Sequence, residues 1–325
     1  MVRTKMILLF IAFFCLGSAI CANKVLLFSL SPELLVGLRM TIGSLLLAGV
    51  SFFRSHKVFP LHVIKHTGSW LLIIALFTTF FPSNLKAYAL AAMPSSKMAF
   101  FGTLDPLIAA LYSYFWFEEK LTMRQWSGIA IGFLGMMILL SDSSPLEDQL
   151  KAFSYISWPE IAAFLAIVLS RWGWIQAQQL LKKEHLTPTQ FTIGTMAIGG
   201  ILSLLMAFLT GSTFLCSLTH APFPVLHHVP LYWMSASSQL GLFLSYTILI
   251  GNMLGYTLYA HVLKRHSVTF IALSGFSIPL LVQALGWLLL GEPLSVLFFL
   301  ACGVTFCGVV LFFLDEPAAE KSVSS

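Results

Sequence analysis

Apolar runs of about 20 residues, the length a helix needs to cross the hydrocarbon of a bilayer, follow one another along this chain with short polar breaks between them. Inside that hydrocarbon the backbone must be helical, because lipid offers no partner for a free N–H or C=O group. The runs predict ten spans, near 6–28, 33–53, 68–91, 97–116, 123–141, 158–181, 190–210, 237–262, 268–290 and 294–314. The stretch Leu85–Leu140 is echoed, more weakly, by Leu258–Phe313. Pro106 is matched by Pro279, Glu119 by Glu292, Leu121 by Leu294 and Gly135 by Gly308, all at an offset of 173 residues and without a gap. Paired apolar residues would prove little, but a proline, an acid and a glycine in one register point to an internal repeat. Pro32 and Pro188, each followed by an apolar span, extend the echo to earlier helices.

Composition agrees with this reading. Of 325 residues, 58 % are hydrophobic and 10 % charged, and the mean hydropathy is +0.89. A soluble chain of this length needs far more polar surface, so the bilayer is the solvent for most of it. The net charge of +5 belongs to loops. With the N-terminus in the cytoplasm, Arg3, Lys5, Arg54, Lys57, Lys65, Lys120, Arg124, Lys182, Lys183, Lys264, Arg265 and Lys321 all fall on the cytoplasmic side. Lys24 and Lys97 break the pattern, and Lys151 is offset by Asp142, Glu147 and Asp148. No soluble domain with a basic, aromatic-studded face is present, so nucleic acid is not an expected partner. The five cysteines form no metal or disulfide spacing. Residues 19–22 resemble a weak signal cleavage site, but the apolar run continues through Val25 to Phe28 and the span count requires it.

The expected fold is an all-α integral membrane protein of ten transmembrane helices in two inverted five-helix repeats. Residues 1–141 form the first repeat, 142–157 an external linker, 158–314 the second repeat and 315–325 a cytoplasmic tail. Five spans per half is an odd number, so the halves enter the membrane in opposite senses and both termini are cytoplasmic. Inverted repeats are a recurring plan of secondary transporters, with the substrate site near the midplane.

Ionisable groups inside spans are the candidates for that site, since a cation there costs roughly 2.5–3.5 kcal/mol on insertion scales. Arg39, Lys86 and Arg171 are such cations, and Asp105 is the acid placed well inside a span. They can meet an anionic or zwitterionic substrate, or pair with one another; Asp105 is also a candidate for proton coupling. Trp174, Tyr88 and Tyr259 could stack on a planar group or hold a cation. Gln283, like Asn84, Gln176, Gln179 and Asn252, could bond a ligand or glue helices together. Pro106 and Pro279 are candidate helix breaks, as hinges or passive kinks. Glu119 and Glu292 read as turn acids that cap the following helix. Gly128-x-x-x-Gly132, Gly135, Gly303 and Gly308 read as close helix contacts, within the monomer or between two copies. The nine histidines form no metal motif, and no cofactor or metal is expected.

These residues together resemble the drug/metabolite transporter superfamily, in its EamA-type ten-helix branch. The likeness is carried by Leu16-Gly17-Ser18, Lys24, Ser31-Pro32, Arg39, Pro106, Glu119, Leu121, Gly128, Gly132, Gly135, Pro279, Gly291-Glu292-Pro293-Leu294, Gly303 and Gly308. It implies an inner-membrane carrier that works by alternating access, without ATP, on a small organic metabolite, as a monomer or homodimer. Within the branch the chain resembles the S-adenosylmethionine carriers of obligate intracellular bacteria, which exchange that compound for S-adenosylhomocysteine. Amino-acid or drug/metabolite export is the alternative within the family, and a polytopic membrane enzyme or a channel the alternative outside it. Two positions depart from the pattern. Thr195 stands where the second half would repeat Arg39, and Asp105 directly precedes Pro106.

Overall fold

The structure, a computed structural model, describes residues 2–55, 61–116, 121–141, 145–153, 156–183, 186–211, 236–265, 275 and 277–313. As far as these residues reach, every predicted apolar run falls on a helix or on helices joined end to end. Among the described residues, six helices are long and apolar enough to cross a membrane, and three shorter apolar helices accompany them, Phe10–Leu26, Ile278–Leu290 and Val296–Phe312. Leu45, Phe53, Phe115 and Leu209 stand exposed on the outside of the bundle, as side chains do where lipid replaces water. The chain is an all-α, multi-pass membrane protein.

The helices start where local chemistry satisfies their first N–H groups. Thr122 accepts from the Gln125 N–H at 3.2 Å while the Gln125 side chain accepts from the Thr122 N–H at 2.9 Å, a reciprocal capping box. Thr187 and Gln190 repeat it, with Pro188 in the first turn. Ser31 accepts from the Leu34 N–H at 3.3 Å, so Pro32 and Pro188 both follow a hydroxyl cap.

Several spans are not uniform helices. A 3-10 turn, Gly102–Leu104, joins Ser95–Phe101 to Asp105–Trp116 and ends two residues before Pro106, whose missing N–H excludes a regular helical hydrogen bond there. Pro279 is buried in the helix Ser277–Leu285. Wider π turns occupy Leu76–Phe80, Thr247–Tyr256 and Gly286–Leu290. Gly291, at φ +67°, ends the last of these in the left-handed conformation that glycine tolerates best. The connection between the halves is not helical throughout. Lys151–Phe153 pairs antiparallel with Ile156–Ser157 after a short helix, Pro145–Gln149.

Met123–Leu140 packs on Val296–Phe313, and Pro32–Ser55 on Pro188–Leu209. Glycines permit the first contact. A Cβ on Gly128 would lie 2.6 Å from the Gly308 carbonyl oxygen, and one on Gly135 2.9 Å from the Ala301 carbonyl oxygen. Between these points the Thr305 hydroxyl donates to the Gly132 carbonyl at 3.4 Å. The small-residue face of Met123–Leu140 is therefore occupied within the chain. Gly303 departs from expectation: nothing among the described residues lies within 4 Å of the Cβ it would carry, so it marks no close contact with them.

Candidate functional site

A cavity of about 260 Å³ opens between the helices, with walls drawn from both halves of the chain. Arg39, Lys86, Asp105 and Pro106 reach it from the first half, and Trp174 and Tyr259 from the second.

Arg39 lies seven positions beyond Pro32 and is buried. Its Nη1 donates to Asn252 Oδ1 at 3.2 Å, and Asn252 Nδ2 donates back to the Arg39 carbonyl at 2.8 Å. Asn252 sits in the π turn Thr247–Tyr256, whose extra residue per turn changes the direction of side chains along the helix. The Arg39 Nε–H has no hydrogen-bond partner among the described residues.

Asp105 follows the 3-10 turn and is held by Arg171. Arg171 Nε donates to Asp105 Oδ1 at 2.7 Å, and Arg171 Nη2 meets Oδ2, a two-point fork. Arg171 itself is buried behind the wall, while its neighbours Ser170 and Trp174 line the cavity. The pairing of Arg39 with Asp105, one of the alternatives raised by the sequence, is replaced by Arg39–Asn252 and Arg171–Asp105.

Lys86 is partly buried at the wall, within the electrostatic reach of Arg39, Arg171 and Tyr256. Trp174 and Tyr259 form one end of the cavity, with ring centroids 4.9 Å apart at 74°. Phe13 packs on Tyr259 at 6.5 Å and Phe191 on Trp174 at 6.1 Å, which fixes both rings. Asn23, Thr78 and Ser83 add polar groups to the lining, and Asn23 Oδ1 is buried without a hydrogen-bond partner among the described residues.

Other candidates lie elsewhere. Tyr88 is 42 % exposed on the outer surface. Two residues from Lys86 on a helix is a rotation of about 200°, so the two cannot share a face. Gln283 is buried, and its amide donates to the Pro293 carbonyl at 3.2 Å, a helix-to-turn bond away from the cavity lining. Glu292 is not a local turn cap: its carboxylate accepts from the Ser95 N–H and hydroxyl. Glu119 falls outside the described residues. No group of three or more metal-binding side chains occurs among the described residues.

The two basic residues that broke the charge pattern both have specific partners. Lys24 donates to the carbonyls of Leu90 at 2.6 Å and Met93 at 2.9 Å, closing the end of Phe81–Ala92. Lys97 is buried between Glu147 at 2.8 Å and Glu160 at 2.6 Å. Their position off the charge rule was the signal that each serves a contact.

The sequence profile of the EamA-like transporter family matches residues 3–141 and 157–314. A protein of Chlamydia muridarum (strain MoPn / Nigg), named S-adenosylmethionine/S-adenosylhomocysteine transporter, is 25 % identical over 310 residues, 95 % of this chain and 91 % of its own. An Escherichia coli (strain K12) protein, named "Probable amino-acid metabolite efflux pump", is 24 % identical over 289 residues, 89 % of this chain and 85 % of its own. A crystal structure superposes over 99 % of both chains with a TM-score of 0.61 at 17 % identity, a likeness of fold alone.

Proposed function

The chain belongs to the EamA-like transporter family, and from that premise we propose that it is an inner-membrane secondary transporter that exchanges S-adenosylmethionine for S-adenosylhomocysteine by alternating access. Ten spans, arranged as two inverted repeats with both termini in the cytoplasm, are part of this reading. The helix pairs support the repeat. Under the offset of 173 residues, the contact of Gly128 with Gly308 becomes that of Ala301 with Gly135, and Gly132–Thr305 maps onto itself. Contacts that exchange in this way are what a two-fold axis between the halves produces.

The observation that carries the functional reading is the shared cavity. It gathers cations and a carboxylate from the first half and rigid aromatic rings from the second. A substrate held between the halves is released to one side or the other as they rock. The name and full-length similarity of the Chlamydia relative favour S-adenosylmethionine, whose planar adenine suits the Trp174–Tyr259 corner. The Escherichia coli relative favours a second reading, export of an amino acid or its metabolite.

Uptake of radiolabelled S-adenosylmethionine into cells expressing the chain tests the proposal. Saturable uptake, stimulated by S-adenosylhomocysteine loaded on the far side, is the expected result. Absence of uptake with the protein inserted would exclude this substrate, and labelled amino acids would then test the second reading.

A further inference from the structure

Two cations, Arg39 and Lys86, and one carboxylate, Asp105, line the cavity, with a third cation, Arg171, behind its wall, and their charges do not cancel. Arg171 and Asp105 neutralise each other through their fork. Arg39 is bonded by a neutral amide, Asn252, and its Nε–H has no partner among the described residues. Lys86 makes no hydrogen bond or ion pair among the described residues. The undescribed residues 266–274 and 276, next to the lining residues Gly275 and Ile278, contain no Asp or Glu. Among the described residues, Arg39 and Lys86 thus line a membrane-embedded cavity without an acidic partner of their own. A buried charge left unpaired costs several kcal/mol, so a protein keeps such groups where a ligand supplies the missing charge.

We propose that Lys86 and Arg39 form an anion subsite that binds the acidic head group, carboxylate or phosphate, of the transported molecule, while Asp105 is retained by Arg171 and does not read the substrate. This rests on the transporter reading above and assigns its substrate contacts. Lys86 belongs to Phe81–Ala92 and Arg39 to Pro32–Ser55, two helices that pack against each other, and both side chains line the same cavity. Asn252 grips Arg39 from one side through Nη1 and its carbonyl, and the buried Nε–H makes no hydrogen bond among the described residues. Lys86 contributes a mobile point charge beside the fixed guanidinium, a combination suited to an anion of two or three oxygens. The aromatic corner of Trp174 and Tyr259 is left for the apolar or planar remainder of the molecule.

The test uses the purified full chain in detergent, with ligand affinity read from titrated shifts of its melting transition. The probes are S-adenosylmethionine, its decarboxylated analogue and adenosine 5′-monophosphate. The expected result is that the decarboxylated analogue binds at least about tenfold more weakly than S-adenosylmethionine, the loss of one charge-assisted contact. Lys86→Gln should remove that preference, and Lys86→Arg should restore most of it. Equal binding of the two S-adenosyl compounds by the unaltered chain, or full preference retained in Lys86→Gln, would overturn the subsite. Binding of adenosine 5′-monophosphate alone, weakened by Lys86→Gln, would support the subsite as a phosphate site while refuting the S-adenosylmethionine reading. Failure of every anionic probe on folded protein would overturn the subsite.

Discussion

Glu292 holds Ser95 at two points, accepting from its backbone N–H at 2.8 Å and from its hydroxyl at 2.7 Å. The contact ties the start of one helix in the first half to the last interhelical turn of the second, where Gly286 leaves room for the carboxylate. Glu292→Ala should therefore lower stability by about 1–3 kcal/mol, the cost of leaving polar groups unsatisfied in a partly buried site. Glu292→Gln retains an acceptor and should lose less. Thermal melting in detergent measures both, and equal, negligible losses would show the contact to be incidental.

Lys97 sits between Glu147 and Glu160, with all three side chains at most 4 % exposed. Removing one partner of a buried pair leaves charges without compensation, at a cost of about 3–5 kcal/mol. Lys97→Met should be strongly destabilising. Lys151, paired with Asp148 at 3.1 Å but 46 % exposed, is the internal control. Lys151→Met should change stability by less than about 1 kcal/mol. Similar melting temperatures for the two variants would refute the distinction.

The Gly128–Gly308 contact makes a different prediction. The atoms a Cβ on Gly128 would strike include backbone atoms of Gly308 and Phe312, which cannot turn aside as a side chain can. Gly128→Val should prevent the two helices from closing and reduce the yield of monodisperse protein in size-exclusion chromatography. Gly303→Ala meets open space and should behave as the unaltered chain.

Asp105 and Arg171 should be coupled. Asp105→Asn leaves the buried Arg171 without its counter-charge, and Arg171→Gln leaves Asp105 without its fork. The double variant removes both charges, so its loss of melting stability should be smaller than the sum of the single losses by more than about 0.5 kcal/mol. Additive losses would show that the ion pair contributes no interaction energy.

The apolar runs were legible because their length is set by the bilayer, and the run expected at 123–141 is the helix Met123–Leu140. The cations that reach the cavity were legible because charge inside a span is costly. The side a residue faces was not. In a helix apolar all round, little contrast marks the buried stripe, so Lys86 and the outward Tyr88 looked equivalent. Partners distant in sequence were also hidden. Glu292 reads as a cap for its own turn, and only the fold brings Ser95 to it. The π turn that carries Asn252 has no residue signature comparable to the proline after the 3-10 turn. The hairpin at Lys151–Phe153 is too short to show alternation.

The central claim, that the cavity between the halves is the site of exchange, is tested most directly by counterflow. Purified chain in proteoliposomes loaded with unlabelled S-adenosylhomocysteine is presented with a trace of labelled S-adenosylmethionine outside. The account predicts that the label rises transiently above its equilibrium level, and that Lys86→Gln abolishes this overshoot. Label that only equilibrates, or that is chemically converted, would contradict exchange, and an overshoot unaltered in Lys86→Gln would contradict the site.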